Sequence, residues 1–109
     1  RSADVFLGLP YDIAMYGLLL ELLAKGTGYE PGRLIAQLGD CHLYSNHREQ
    51  SKELLSRQLN GKILPVLDLA GSGLTIGYDK DVIVPNEGEI ELKHYDPLPA
   101  IKAPLSVGL

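Results

Sequence analysis

The chain has 109 residues, of which 45% are hydrophobic and 22% charged, and a formal net charge of −4. That balance fits one globular domain and excludes a disordered polyelectrolyte. A single cysteine excludes an internal disulfide framework and a four-sulfur zinc site, and the excess of 14 acidic over 10 basic residues disfavours a nucleic-acid-binding module.

The chain opens on Arg1 rather than Met, which raises the expectation that it is part of something longer. No signal peptide is visible at its start. After a short mixed segment, Gly8-Leu9-Pro10 marks a chain break and a helix start, with Pro10 near the first turn. Residues 11–25 read as a helix. It is apolar around most of its circumference, through Ile13, Met15, Leu18, Leu19, Leu20, Leu22 and Leu23, so it is expected to lie buried in a larger core. Its longest apolar stretch is interrupted by Glu21 and falls far short of a bilayer span. Gly26 and Gly28 stop the helix, and Glu30-Pro31-Gly32 is a turn. Residues 33–45 read as a strand. Asn46 and Glu49 then form a capping-box pattern for an amphipathic helix over 47–59, and Asn60-Gly61 turns the chain. Strands are expected at 62–69, 74–78, 82–84 and 89–93. The tail from Asp96 holds Pro97, Pro99 and Pro104 and is expected to lie extended on a surface. The pattern as a whole is α+β.

Among the polar groups, Arg1 beside Ser2 could hold a phosphate. Asp12 falls in the first turn of the apolar helix, where the dipole favours a carboxylate. His42 and Tyr44 stand two apart on the expected strand and share a face. They could grip a hydroxyl-bearing ligand or simply face solvent. Cys41 points to the opposite face and reads as a packed structural thiol, since neither neighbour favours thiolate. Asp79, Asp81, Glu87, Glu89, Glu91 and Asp96 crowd one segment. They read as a solvated strand face, because the spacing of a calcium loop is missing. No residues present a metal site.

Longer strings carry more. Arg1-Ser-Ala-Asp-Val-Phe-Leu-Gly-Leu-Pro-Tyr-Asp-Ile-Ala-Met-Tyr16 resembles the thymidylate synthase segment that runs Arg-Ser-x-Asp through Phe-Leu-Gly-Leu-Pro-Phe-Asn-Ile-Ala. Gly39-Asp-Cys-His-Leu-Tyr-Ser-Asn-His47 resembles that family's Gly-Asp-x-His-Leu-Tyr-x-Asn-His. Leu55-Ser-Arg57 and the stretch from Tyr95 to Pro104 match later signatures in order. The resemblance implies a partial thymidylate-synthase-like fold, with the buried helix set against a mixed β-sheet. It implies one-carbon transfer to C5 of a pyrimidine nucleoside monophosphate, with 5,10-methylenetetrahydrofolate as cosubstrate. It also implies a cytoplasmic homodimer, with no membrane or nucleic-acid partner. By the same resemblance Arg1 and Ser2 would meet the 5′-phosphate, Asp12 the base, and His42 and Tyr44 the sugar. Asp4, Leu7, Gly8 and Tyr11 would line the folate site, and the tail would close over it.

Two departures shape the expected function. The family's nucleophilic cysteine sits in a Pro-Cys-His stretch before the Arg-Ser motif, and this chain begins after that point. Residues 1–109 therefore read as the C-terminal portion of such a domain, inactive in transfer when alone, with no catalytic nucleophile of their own. The rest of the polypeptide becomes an implied partner. The second departure is Asp12, where the family has Asn. An amide matches the N3–H donor and O4 acceptor of uracil. A neutral carboxyl matches cytosine by donating to N3 and accepting from N4. Asp at this position is the pattern of deoxycytidylate hydroxymethylases. The expectation is therefore a dCMP hydroxymethylase, with a dUMP-methylating synthase as the alternative. A non-catalytic binding or assembly domain is a third reading.

Overall fold

The computed structural model describes residues 2–70 and 89–106. In chain order the elements are β1 (Ser2–Asp4), α1 (Leu9–Thr27), β2 (Asp40–His42), a 3-10 turn (Ser45–His47), α2 (Arg48–Ser56), β3 (Val66–Asp68) and β4 (Glu91–Lys93). The α+β expectation holds. The described strands form two pairs, β1 with β2 in parallel and β3 with β4 antiparallel. The chain divides into two compact units, residues 1–14, 35–61 and 98–109 in one, and residues 15–34 and 62–97 in the other.

In the first unit, β1 runs beside β2 with Ser2 opposite Asp40, Ala3 opposite Cys41 and Asp4 opposite His42. Ala3 is buried and His47 is wholly excluded from solvent. The helix α1 starts at Leu9, two residues before the expected start. Gly8 caps it by accepting the amide hydrogens of Tyr11 and Asp12, both at 3.1 Å. At its far end Gly28 adopts a φ of +74°, the left-handed conformation that only glycine takes without strain. Tyr29 N then donates to Ala24 O at 2.9 Å and Gly28 N to Lys25 O at 3.4 Å, a Schellman termination. Gly28 is therefore the stop, while Gly26 lies inside the helix and is buried.

The expected burial of α1 is not met. Tyr11, Ile13, Met15, Leu19 and Leu23 are 78%, 50%, 55%, 47% and 46% exposed. The pattern that calls for a surrounding core is present, but the described residues do not supply one.

The long strand expected over 33–45 shrinks to three residues, Asp40–His42, because only these find a partner in β1. The capping box also fails. Asn46 lies inside the 3-10 turn, so it cannot cap α2, which begins at Arg48 without a side-chain cap. Asn46 Oδ1 instead accepts from Ser106 Oγ at 2.7 Å, and Glu49 pairs with Lys52 at 2.7 Å. The helix ends at Ser56 rather than at 59. The tail follows its expectation and has no regular structure from Tyr95 to Ser106. The strands expected at 74–78 and 82–84 lie outside the described residues, as do Arg1, Asp79, Asp81 and Glu87.

In the second unit, Val66, Leu67 and Asp68 pair with Lys93, Leu92 and Glu91. The Lys93 ammonium donates to the Asp68 carboxylate, and Ala70 N donates to the same side chain at 2.9 Å. The hydrogen bond from Lys93, then that from Ala70, holds the Asp68 carboxyl below its ordinary value of 3.8. The bond to Asp68 raises Lys93 above 10.5. A depressed carboxyl stabilises above its unfolded value and stops doing so as pH falls through its folded one; a raised amine stabilises below its unfolded value and stops as pH rises through its folded one. The β3–β4 pairing should therefore hold from about pH 4 to about pH 10 and weaken outside that window. Lys93 is exposed and Asp68 half-buried, so solvent screens the pair and the effect is small. Amide exchange at Leu67 and Leu92 across pH checks this, and Asp68→Asn should abolish the acidic limb.

Candidate functional site

The sequence-selected residues that the structure describes all lie in the first unit, with Asp4 and His42 paired at one end of the β1–β2 pair. Asp4 closes β1 and sits opposite His42 in the parallel register. Its Oδ1 accepts from Phe6 N at 3.0 Å and from Leu7 N at 3.2 Å, and its carbonyl accepts from Gly8 N at 3.1 Å. An aspartate three residues before Leu7 thus folds the connection onto itself, as Asp side chains do in turns. A methyl group added at Gly8 would lie 3.2 Å from Asp4 O, so a side chain there would crowd this turn. The turn delivers Leu7 and Gly8, both half-buried, and leads directly into the first turn of α1 with Tyr11 and Asp12, both exposed. Removing the carboxylate by Asp4→Ala should cost about 1 kcal/mol, the usual worth of a capping side chain, read as a fall in unfolding free energy.

Across the strand pair, His42 meets Tyr44 edge-on, with ring centroids 4.9 Å apart and an interplanar angle of 81°. The two side chains do share a face. Asp40, two residues back on β2, places Oδ1 3.6 Å from His42 Nδ1. Ser2 is exposed at the other end of β1. Arg1, the expected phosphate ligand, lies outside the described residues.

Cys41 does not match its expectation. It is exposed rather than packed, because β2 pairs on one side only among the described strands. No group of three or more potential metal ligands occurs among the described residues.

His47, a polar group of the Gly39–His47 string to which the sequence assigned no role, stands at the centre of these contacts. His47 is 0% exposed. Its ring lies 5.8 Å from that of Tyr44 and 5.5 Å from that of Phe6. Its Nε2 is 2.7 Å from Pro104 O. A carbonyl only accepts, so Nε2 carries the proton. Arg57 likewise donates to Pro99 O at 2.7 Å and to Glu53 Oε1 at 2.8 Å. His47, Arg57 and Asn46 thus hold the tail at Pro104, Pro99 and Ser106. The available signal was the spacing of Tyr44 and His47 in one motif, but an expected strand running to 45 and a helix from 47 hid their approach.

The second unit contains a hollow of about 290 Å³ lined by Glu21, Lys25, Tyr29, Glu30, Leu67 and Leu69. None of the sequence-selected residues lines it. No helix among the described residues is long and apolar enough to cross a membrane.

The thymidylate synthase family model matches residues 1–107. Thymidylate synthase of Listeria monocytogenes serotype 4a is 50% identical over 107 residues, covering 98% of this chain and 32% of that protein. The thymidylate synthase of Listeria innocua is 49% identical with the same coverage, and that of Listeria monocytogenes serovar 1/2a is 48% identical. The chain therefore spans about a third of the length of these relatives. With the β1–turn–α1 and β2 strings matched along almost its whole length, the chain belongs to the thymidylate synthase family.

Proposed function

We propose that the protein carrying this chain is a thymidylate synthase that methylates C5 of dUMP, with 5,10-methylenetetrahydrofolate as the one-carbon donor. The observation that carries this reading is the near 50% identity to proteins named thymidylate synthase across 98% of the chain. The expected cytidylate hydroxymethylase gives way to it, because that reading rested on Asp12 alone. Asp12 is compatible with uracil in its neutral form. The acid that donates to N3 of cytosine can, turned over, accept from the N3–H of uracil and donate to O4.

In this reading Arg1 and Ser2 hold the phosphate, His42 and Tyr44 the sugar hydroxyl, and Asp12 the base edge. Asp4, Leu7, Gly8 and Tyr11 face the folate. The Asp4 carboxylate suits that part: Oδ1 is occupied by backbone donors, and Oδ2 makes no hydrogen bond with the described residues. A free acceptor oxygen of this kind matches the N–H groups of a pterin ring. Its register opposite His42 supports reading Asp4 as a neighbour of the nucleotide-facing pair.

The nucleophile is not Cys41. That thiol sits opposite Ala3 in the β1–β2 register, one residue off the His42–Tyr44 face. Residues 1–109 by themselves should not transfer the one-carbon unit. Transfer would require the remaining polypeptide, with its Pro-Cys-His cysteine, and a second subunit. The test is a pair of assays with dUMP and methylenetetrahydrofolate. The protein at the full length of its relatives should form dTMP, and residues 1–109 should form none. Transfer by the short chain would overturn the assignment of the nucleophile.

A further inference from the structure

We propose that His47 is a positioning residue that couples the tail to the nucleotide-gripping pair His42 and Tyr44. The proposal deepens, and rests on, the reading of those two residues as sugar ligands. The geometry is a continuous chain of contacts. The His42 ring meets Tyr44 at 4.9 Å, Tyr44 meets His47 at 5.8 Å, and His47 Nε2 donates to Pro104 O at 2.7 Å. Phe6, in the turn that Asp4 folds, closes the far side of the His47 ring at 5.5 Å.

The imidazole is wholly buried, yet its Nδ1 has no hydrogen-bond partner among the described residues. An apolar ring would fill the same space without leaving a buried polar atom unpaired. What it would lose is the donor to Pro104. Packing therefore explains the ring, and only the link to the tail explains the imidazole. Two further bonds fix the tail at the two ends of α2, from Arg57 at its C-terminal end to Pro99 O and from Ser106 to Asn46 in the 3-10 turn before it. They flank the His47 contact along the tail. Among the described residues, His47 is the one recorded in contact with both the tail and the Tyr44 ring that would bind nucleotide. Coupling between two sites works equally in both directions. A held tail fixes Tyr44, and a nucleotide held by Tyr44 fixes the tail.

The experiment uses the full-length protein with two substitutions. His47→Phe keeps the ring and removes the donor. His47→Gln keeps a donor at the place of Nε2 and removes the ring nitrogen left unpaired. Hydrogen exchange over residues 99–106 reads the tail, and calorimetric titration with dUMP reads the site. His47→Phe should speed tail exchange and raise the dUMP dissociation constant roughly tenfold, within the range a lost buried hydrogen bond produces. It should also remove the slowing of tail exchange that dUMP causes in the parent protein. His47→Gln should recover most of both effects. A folded His47→Phe protein with parental tail exchange and parental dUMP affinity would overturn the proposal. So would a tail loosened without change in dUMP affinity. If His47→Phe fails to fold, Tyr44→Ala supplies the converse reading. Tail exchange unchanged in Tyr44→Ala contradicts the coupling. A parent protein that does not bind dUMP instead overturns the proposed function, while Tyr44→Ala still tests the link to the tail without nucleotide.

Discussion

Asp12→Asn in the full-length protein should raise kcat/KM for dUMP relative to dCMP by roughly 5- to 150-fold, the equivalent of about 1–3 kcal/mol for one mismatched polar group. The reason lies in the number of hydrogen-bonding states each side chain offers. An amide always presents one donor and one acceptor, as uracil requires at N3 and O4. A carboxyl presents both only while it holds its proton. Once ionised it has two acceptors and opposes O4. Asp12 stands in the first turn of α1. Asparagine is the stronger match for uracil, because it presents the donor and the acceptor together at all times. The ratio of dUMP to dCMP turnover in parent and variant checks this. An unchanged ratio would remove Asp12 from the base edge.

A second large effect is expected far from any ligand. Leu19→Ala in the full-length protein should cost about 2–5 kcal/mol of unfolding free energy, as a leucine deletion in a packed core does. The exposure of Leu19 in this chain, 47%, would suggest a change within about 0.5 kcal/mol, the usual scale for a surface site. The larger value follows from the sequence of α1. Ile13, Met15, Tyr16, Leu18, Leu19 and Leu23 are all substantially exposed on one helix. An exposed apolar surface of that extent is not left facing water in a stable soluble fold. The relatives are about three times the length of this chain, which provides residues enough to cover it. Denaturant unfolding of parent and variant reads the difference. A loss within the surface range would show that α1 stays uncovered.

How much was legible in the sequence depended on the range of the interactions. The ends of α1 were close to their expected places because local signals set them: Pro10 in the first turn and Gly28 with its positive φ. The stretch over 33–45 failed because alternation marks a strand only where a partner exists, and β1 offers pairing to just three residues. The capping box at Asn46 failed for a similar reason. A tail contact from Ser106, 60 residues away, competes for its side chain. The His42–Tyr44 face was readable from the two-residue period, and the rings do meet. The burial of His47 was not readable, because Phe6, Tyr44 and Pro104 come together only in three dimensions. Asp12 carried the expected choice of base, whereas the similarity along the whole chain favours the alternative.

The most direct test of the central claim is one incubation. The full-length protein is given equal amounts of dUMP and dCMP with methylenetetrahydrofolate, and the products are identified by mass. A thymidylate synthase yields dTMP and leaves dCMP unchanged. Formation of 5-hydroxymethyl-dCMP, with dUMP left unchanged, would contradict the account.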